Sequence, residues 1–113
     1  MNDLEIRTLK FAKEVRDFCR GIKPDVVSTV YIRQVVRSSS SIGANYIEAN
    51  EKLGKQDLIM HLRIARKEAK ETKYWLELLE GQPQETSRLK MESEELRRIL
   101  SAIINKVQQK QLL

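Results

Sequence analysis

The chain has 113 residues, 33% of them charged and only 5% aromatic, and 21 Lys and Arg against 16 Asp and Glu leave it at +5 near neutral pH. That length allows one domain with a modest core, and the abundance of Lys, Glu, Arg, Leu and Ile favours helices over sheets. No apolar run nears the ~20 residues of a membrane span, and the N-terminal MNDLEIRTLKFAKEV carries no signal-peptide core, so no membrane partner is expected. A lone Cys19 excludes an internal disulfide and suits a reducing cytoplasm, while a lone His61 excludes a histidine-rich metal site.

Breaks are few. Pro24, Gly54 and the Gly81–Pro83 stretch divide the chain into four segments, which predict helices over roughly 3–22, 27–50, 56–80 and 86–109 within a single domain spanning 1–113. In the first, Thr8, Phe11, Val15, Phe18 and Ile22 recur at steps of three and four and form an apolar seam. Cys19 follows the same spacing without an obvious base and reads as a packed thiol. On another face Lys13, Arg16, Arg20 and Lys23 make a basic stripe.

The second segment contains SSSSIGAN and is nearly uncharged. One seam holds Tyr31, Val35, Ser38, Ile42, Asn45 and Ala49; a second, beside it, holds Val36, Ser39, Gly43 and Tyr46. Serine and glycine are poor helix formers, so tertiary packing must hold this helix. Ser38, Ser39 and Gly43 read as spacers that let another backbone approach closely, with the serine hydroxyls bonding back to carbonyls one turn earlier. Two seams call for two partners, the domain's own core and a second subunit; the alternative is a helix sitting deepest in a monomeric bundle.

The third segment has the cleanest series: Leu58, Leu62, Ala65, Ala69, Thr72, Leu76 and Leu79. Gly54 and Asp57 suit its start, and Gly81 suits a helix C-terminus, with Pro83 preventing continuation. Arg63, Arg66, Lys70 and Lys73 form a second basic stripe, flanked by Lys67, Glu68 and Glu71 as ordinary surface charges. Tyr74 and Trp75 adjoin it, as base-stacking residues or as core and interface anchors. In the fourth segment Leu89, Ser93, Leu96, Leu100, Ile103 and Val107 repeat the seam, and the tail QQKQLL is expected to fray. Short connections between long helices predict an all-α, antiparallel, up-down-up-down four-helix bundle of rod-like shape, each helix ~36 Å long.

The stretch QVVRSSSSIGANYIEA, with FAKEVRDFCRGI before it and LIMHLRIARKEAKETKYWLELL after it, resembles the bacterial four helix bundle proteins, also called 23S rRNA intervening-sequence proteins. The resemblance rests on Gln34, Arg37, Ser41, Ile42, Asn45 and Glu48, and on Leu62, Ile64, Ala65 and Glu71; the chain departs from the pattern at Ala49 and at Lys67–Glu68. It implies a left-handed bundle assembling as a homopentamer, with no enzymatic activity. The family is similar to the accessory variability protein of diversity-generating retroelements, a basic pentamer that binds nucleic acid and a reverse transcriptase.

Ser41, Asn45 and Glu48 share one stripe of the second helix, and Glu71 of the third is placed to face them. With Arg37 they form either a ligand pocket or a network fixing register between helices or subunits. A di-iron site needs Glu-x-x-His pairs, and His61 has Leu58 in the glutamate position. The serine run lacks a G-x-S-x-G context, and no glycine-rich phosphate loop exists. No catalytic residue, metal or cofactor is therefore predicted. Two functions remain: a basic homo-oligomeric scaffold for RNA or DNA on the two stripes, its affinity falling with salt, and a module docking a protein partner on the bundle surface.

Overall fold

The computed structural model describes every residue except Lys52, Glu80, Gln82 and Leu113, together with the side chains of Gln111 and Leu112. Four helices follow one another: α1 (Asp3–Arg20), α2 (Val26–Ala49), α3 (Lys55–Leu78) and α4 (Pro83–Leu112). Each packs on its chain neighbours, and α4 returns to α1, whereas the diagonal pairs α1/α3 and α2/α4 do not meet. Cross-helix partners run in opposite directions: Arg37 pairs with Glu68 while Asn45 meets His61, and Lys73 pairs with Glu94 while Arg66 reaches Ser101. The result is an up-down-up-down antiparallel bundle measuring 52 × 23 × 22 Å.

Local chemistry sets the helix ends. Asn2 caps α1, its side-chain oxygen accepting from the Glu5 amide at 2.9 Å. Asp25 and Ser28 form a reciprocal capping box at the start of α2, with side-chain-to-backbone bonds of 2.7 and 2.9 Å. Gly54, at φ 114°, turns the chain into α3 through the left-handed region that favours glycine. Pro83 opens α4 rather than preceding it, because the first helical position needs no amide proton. The tail expected to fray continues α4 as far as Leu112. A Cβ at Gly81 would sit 2.6 Å from the Phe18 ring, so glycine is needed there for space.

The core lies where the four seams converge, with Phe11, Val15, Val35, Ile42, Leu62, Leu76, Leu89, Leu96, Leu100 and Ile104 fully or almost fully buried. Small polar residues share this interior by bonding to their own helices. Thr8 donates to the Glu5 carbonyl at 3.0 Å and Ser93 to that of Lys90 at 2.8 Å. All four serines of the run bond back to carbonyls three or four residues earlier. Thr72 donates to the Glu68 carbonyl at 2.7 Å, with its hydroxyl oxygen 2.8 Å from Ser38 Oγ across the α2–α3 seam. Burial pushes the Cys19 thiol up to about 11, which leaves it protonated and unreactive near neutral pH.

Most of both seams of α2 is covered within the chain. Ser38 faces α3. Gly43 faces α1 so closely that a Cβ on it would lie 2.7 Å from Thr8 Oγ1. Ser39 is buried, and Tyr46 accepts from Asn2 at 3.1 Å. Within that second seam Val36 alone is exposed. What α2 leaves uncovered is its outer face, where Val26 is 87% exposed and Val30, Val36 and Ile47 are also exposed. The α1–α4 seam is the loosest, and ion pairs Arg7–Glu92 and Glu14–Arg88, both at 2.7 Å, bridge it.

Candidate nucleic-acid interface

The two basic stripes lie on opposite sides of the bundle, since α1 and α3 are diagonal. One flat partner cannot engage both on the same protomer. Their electrostatics differ as well. On α1, Arg16 and Arg20 converge on Asp17 at 3.0 and 3.7 Å, and the hydrogen bond from Arg16 holds the Asp17 carboxyl below the usual range. Lys13 and Lys23 stand alone among the described residues. An incoming phosphate would have to compete with Asp17 for half of this stripe.

On α3, steps of three and four put Arg63, Arg66 and Lys70 on the side that turns toward α4 and solvent. Lys73 is drawn off by Glu94 at 3.9 Å. Lys67, which sequence reasoning treated as an ordinary surface charge, completes the cluster, and α4 supplies Arg97 and Ser101. These six residues line a cleft of about 370 Å³ whose walls carry no carboxylate. Arg66 donates to Ser101 at 3.5 Å. Among the described residues Arg63, Arg66, Lys67 and Lys70 have no ion-pair partner. Arg97 is held by Glu94 at 2.5 and 3.1 Å. The bond from Arg97, with the charges of Lys73 and Arg98, keeps the Glu94 carboxyl below its usual range. The α4 contribution lay hidden in the sequence because it depends on the α3–α4 register.

The polar residues of α2 divide into two groups. Arg37 lies 3.2 Å from Glu68 and 4.0 Å from Glu71, and it donates to Gln34 at 3.3 Å. Glu68 is the buried member, with a side chain 7% exposed; it belongs to the interior rather than to the solvent-facing charges of α3. Its position three residues after Ala65 and four before Thr72 is the sequence signal for that burial. Glu71 sits at the level of Arg37 and does not face Asn45 or Glu48. Ser41 donates to the Arg37 carbonyl at 2.8 Å. Asn45 donates to the Ser41 carbonyl at 2.9 Å and meets His61 Nδ1 at 3.2 Å, while His61 Nε2 lies 3.6 Å from Asp57. Glu48 is exposed. These contacts tie α2 to α3. Among the described residues no three His, Cys, Asp or Glu side chains converge as metal ligands, and no helix is long and apolar enough to cross a membrane. Trp75 packs against the core and stacks on Tyr31 at 6.3 Å. Tyr74 stands 60% exposed, edge-on to Trp75 at 5.4 Å.

The comparisons agree with this architecture. A solved protein of unknown function, from the S23 ribosomal protein family of Bacteroides thetaiotaomicron, is 33% identical and superposes with a TM-score of 0.80 over 88% of this chain and 96% of that one. No curated protein matches significantly. The family model described as 23S rRNA-intervening sequence protein matches residues 3–102. A four-helix chain with this match over most of its length belongs to the 23S rRNA-intervening sequence protein family.

Proposed function

We propose that the protein is a cytoplasmic, non-enzymatic, homo-oligomeric scaffold that binds RNA or DNA through the α3–α4 face. The observation that carries this reading is the cleft in which Arg63, Arg66, Lys67 and Lys70 gather without an ion-pair partner among the described residues, beside Arg97, which Glu94 holds. Several arginines elsewhere on the bundle, namely Arg7, Arg16 and Arg88, are held by acids. Lys and Arg side chains free to neutralise phosphates displace the cations condensed on a nucleic-acid backbone, and the release of those counterions drives binding. The α1 stripe has a lesser role because Asp17 occupies two of its arginines.

Self-association is supported by the exposed valines and isoleucine on the outer face of α2, apolar side chains in a chain that is 33% charged as a whole. Five copies is the number implied by the family resemblance, and a ring would repeat the cationic cleft around its circumference. The same strip favours the second reading, a module that docks a partner protein. The discriminating experiment is Lys67→Glu with Lys70→Glu. Both side chains are exposed, so light scattering should give an unchanged assembly size while affinity for labelled RNA or DNA falls roughly tenfold or more. Unchanged affinity would remove this face from the account, and absence of binding by the unaltered protein would favour protein docking.

A further inference from the structure

The outer face of α3 carries more than charge. Gln56, Met60, Arg63, Lys67, Lys70 and Tyr74 recur at steps of four, three, four, three and four, and all six are exposed. They form one straight stripe from an apolar end to an aromatic end, with the cations between. At the first end, Ile59, Met60 and Ile64, with Gln56 and Gln108, line an open hollow of about 570 Å³. This hollow shares Arg63 and Lys67 with the cationic cleft, so the two are continuous. At the far end, one turn beyond Lys70, the Tyr74 ring is exposed.

We infer that the ligand of this face is single-stranded nucleic acid lying along α3, an inference that rests on the nucleic-acid reading above. The phosphates lie on Arg63, Arg66, Lys67 and Lys70, one base stacks on Tyr74 and another lies on the Ile59–Met60–Ile64 shelf. A duplex keeps its bases stacked inside and presents phosphates to a flat surface, so it gains nothing from an exposed tyrosine or an apolar hollow. An unpaired strand turns its bases outward, and single-strand binders combine cationic tracks with apolar and aromatic platforms for that reason. Gln56 and Gln108 fit as well, because carboxamides both donate to and accept from base edges. From Met60 to Tyr74 the helix rises ~21 Å, a track long enough for several nucleotides of an extended strand.

The test uses the assembled protein with labelled mixed-sequence RNA and DNA oligonucleotides, as single strands and annealed to unlabelled complements, at one salt concentration. Single strands should bind about tenfold tighter than their duplexes. Tyr74→Ala should weaken single-strand binding roughly fivefold or more, with Tyr74→Phe retaining it and duplex affinity unmoved in both variants. Equal or tighter duplex binding, or an unaltered single-strand affinity in Tyr74→Ala, would overturn the inference and leave the broader nucleic-acid reading standing. Failure of every oligonucleotide to bind would overturn both.

Discussion

Gly43→Leu is expected to destabilise the bundle by about 3 kcal/mol or more, and Gly43→Ala by about 1–2 kcal/mol, in chemical denaturation with unchanged m-values. The alanine variant is the sharper case because two effects oppose each other. Replacing glycine inside a helix gains about 1 kcal/mol of propensity. Against that, a Cβ at position 43 would stand 2.7 Å from Thr8 Oγ1 and 3.1 Å from Thr8 Cβ. Thr8 is 1% exposed, and its hydroxyl is tied to the Glu5 carbonyl, so it has nowhere to turn. Separating α1 from α2 to make room costs packing along the whole seam. Thr8→Ala removes the 2.7 Å contact, so the double variant Thr8→Ala/Gly43→Ala should recover a good part of the loss. A Gly43→Leu protein with the parental midpoint would show that α1 does not seat where the structure places it.

Arg37→Ala should cost about 2 kcal/mol, because it leaves the Glu68 carboxylate without its cation. The geometry limits the size of the effect: the Glu68 side chain is 7% exposed, whereas that of Arg37 is 50% exposed. Solvent screening at the arginine end places the cost below the range for a fully buried pair. Replacing both partners, Arg37→Met with Glu68→Leu, should restore stability to within about 1 kcal/mol of the parent, because no charge is then left buried. A neutral Arg37→Ala single variant would mean that water already satisfies Glu68. The cycle also decides what the α2–α3 contacts are for, since a network that only fixes register predicts effects on stability and none on nucleic-acid affinity.

Apolar spacing made the bundle readable. Phe11, Val15, Leu62, Leu76, Leu96 and Leu100 occupy the interior at the periods that place them there. Helix starts were less legible where they depend on a specific bond: the Asp25–Ser28 capping box brings α2 forward to Val26, and Pro83 opens α4. The small-residue seam of α2 was visible, but its partner was not. Spacing shows that Ser39 and Gly43 face something close, and only the packing of α1 identifies it as Thr8. The interface shows the same division. Arg63, Arg66 and Lys70 declare themselves by period, whereas Arg97 and Ser101 come from a different helix. The engagement of the α1 arginines by Asp17, one residue after Arg16, is a short-range ion pairing that helical spacing alone does not weigh.

A salt titration of single-strand binding, read by fluorescence anisotropy on the assembled protein, tests the central claim most directly. If Arg63, Arg66, Lys67 and Lys70 each neutralise a phosphate, log affinity should fall linearly with log salt at a slope of about −3 per cleft engaged, given ~0.7 per phosphate for an unpaired strand. No detectable binding at low salt, or an affinity indifferent to salt, would contradict the account.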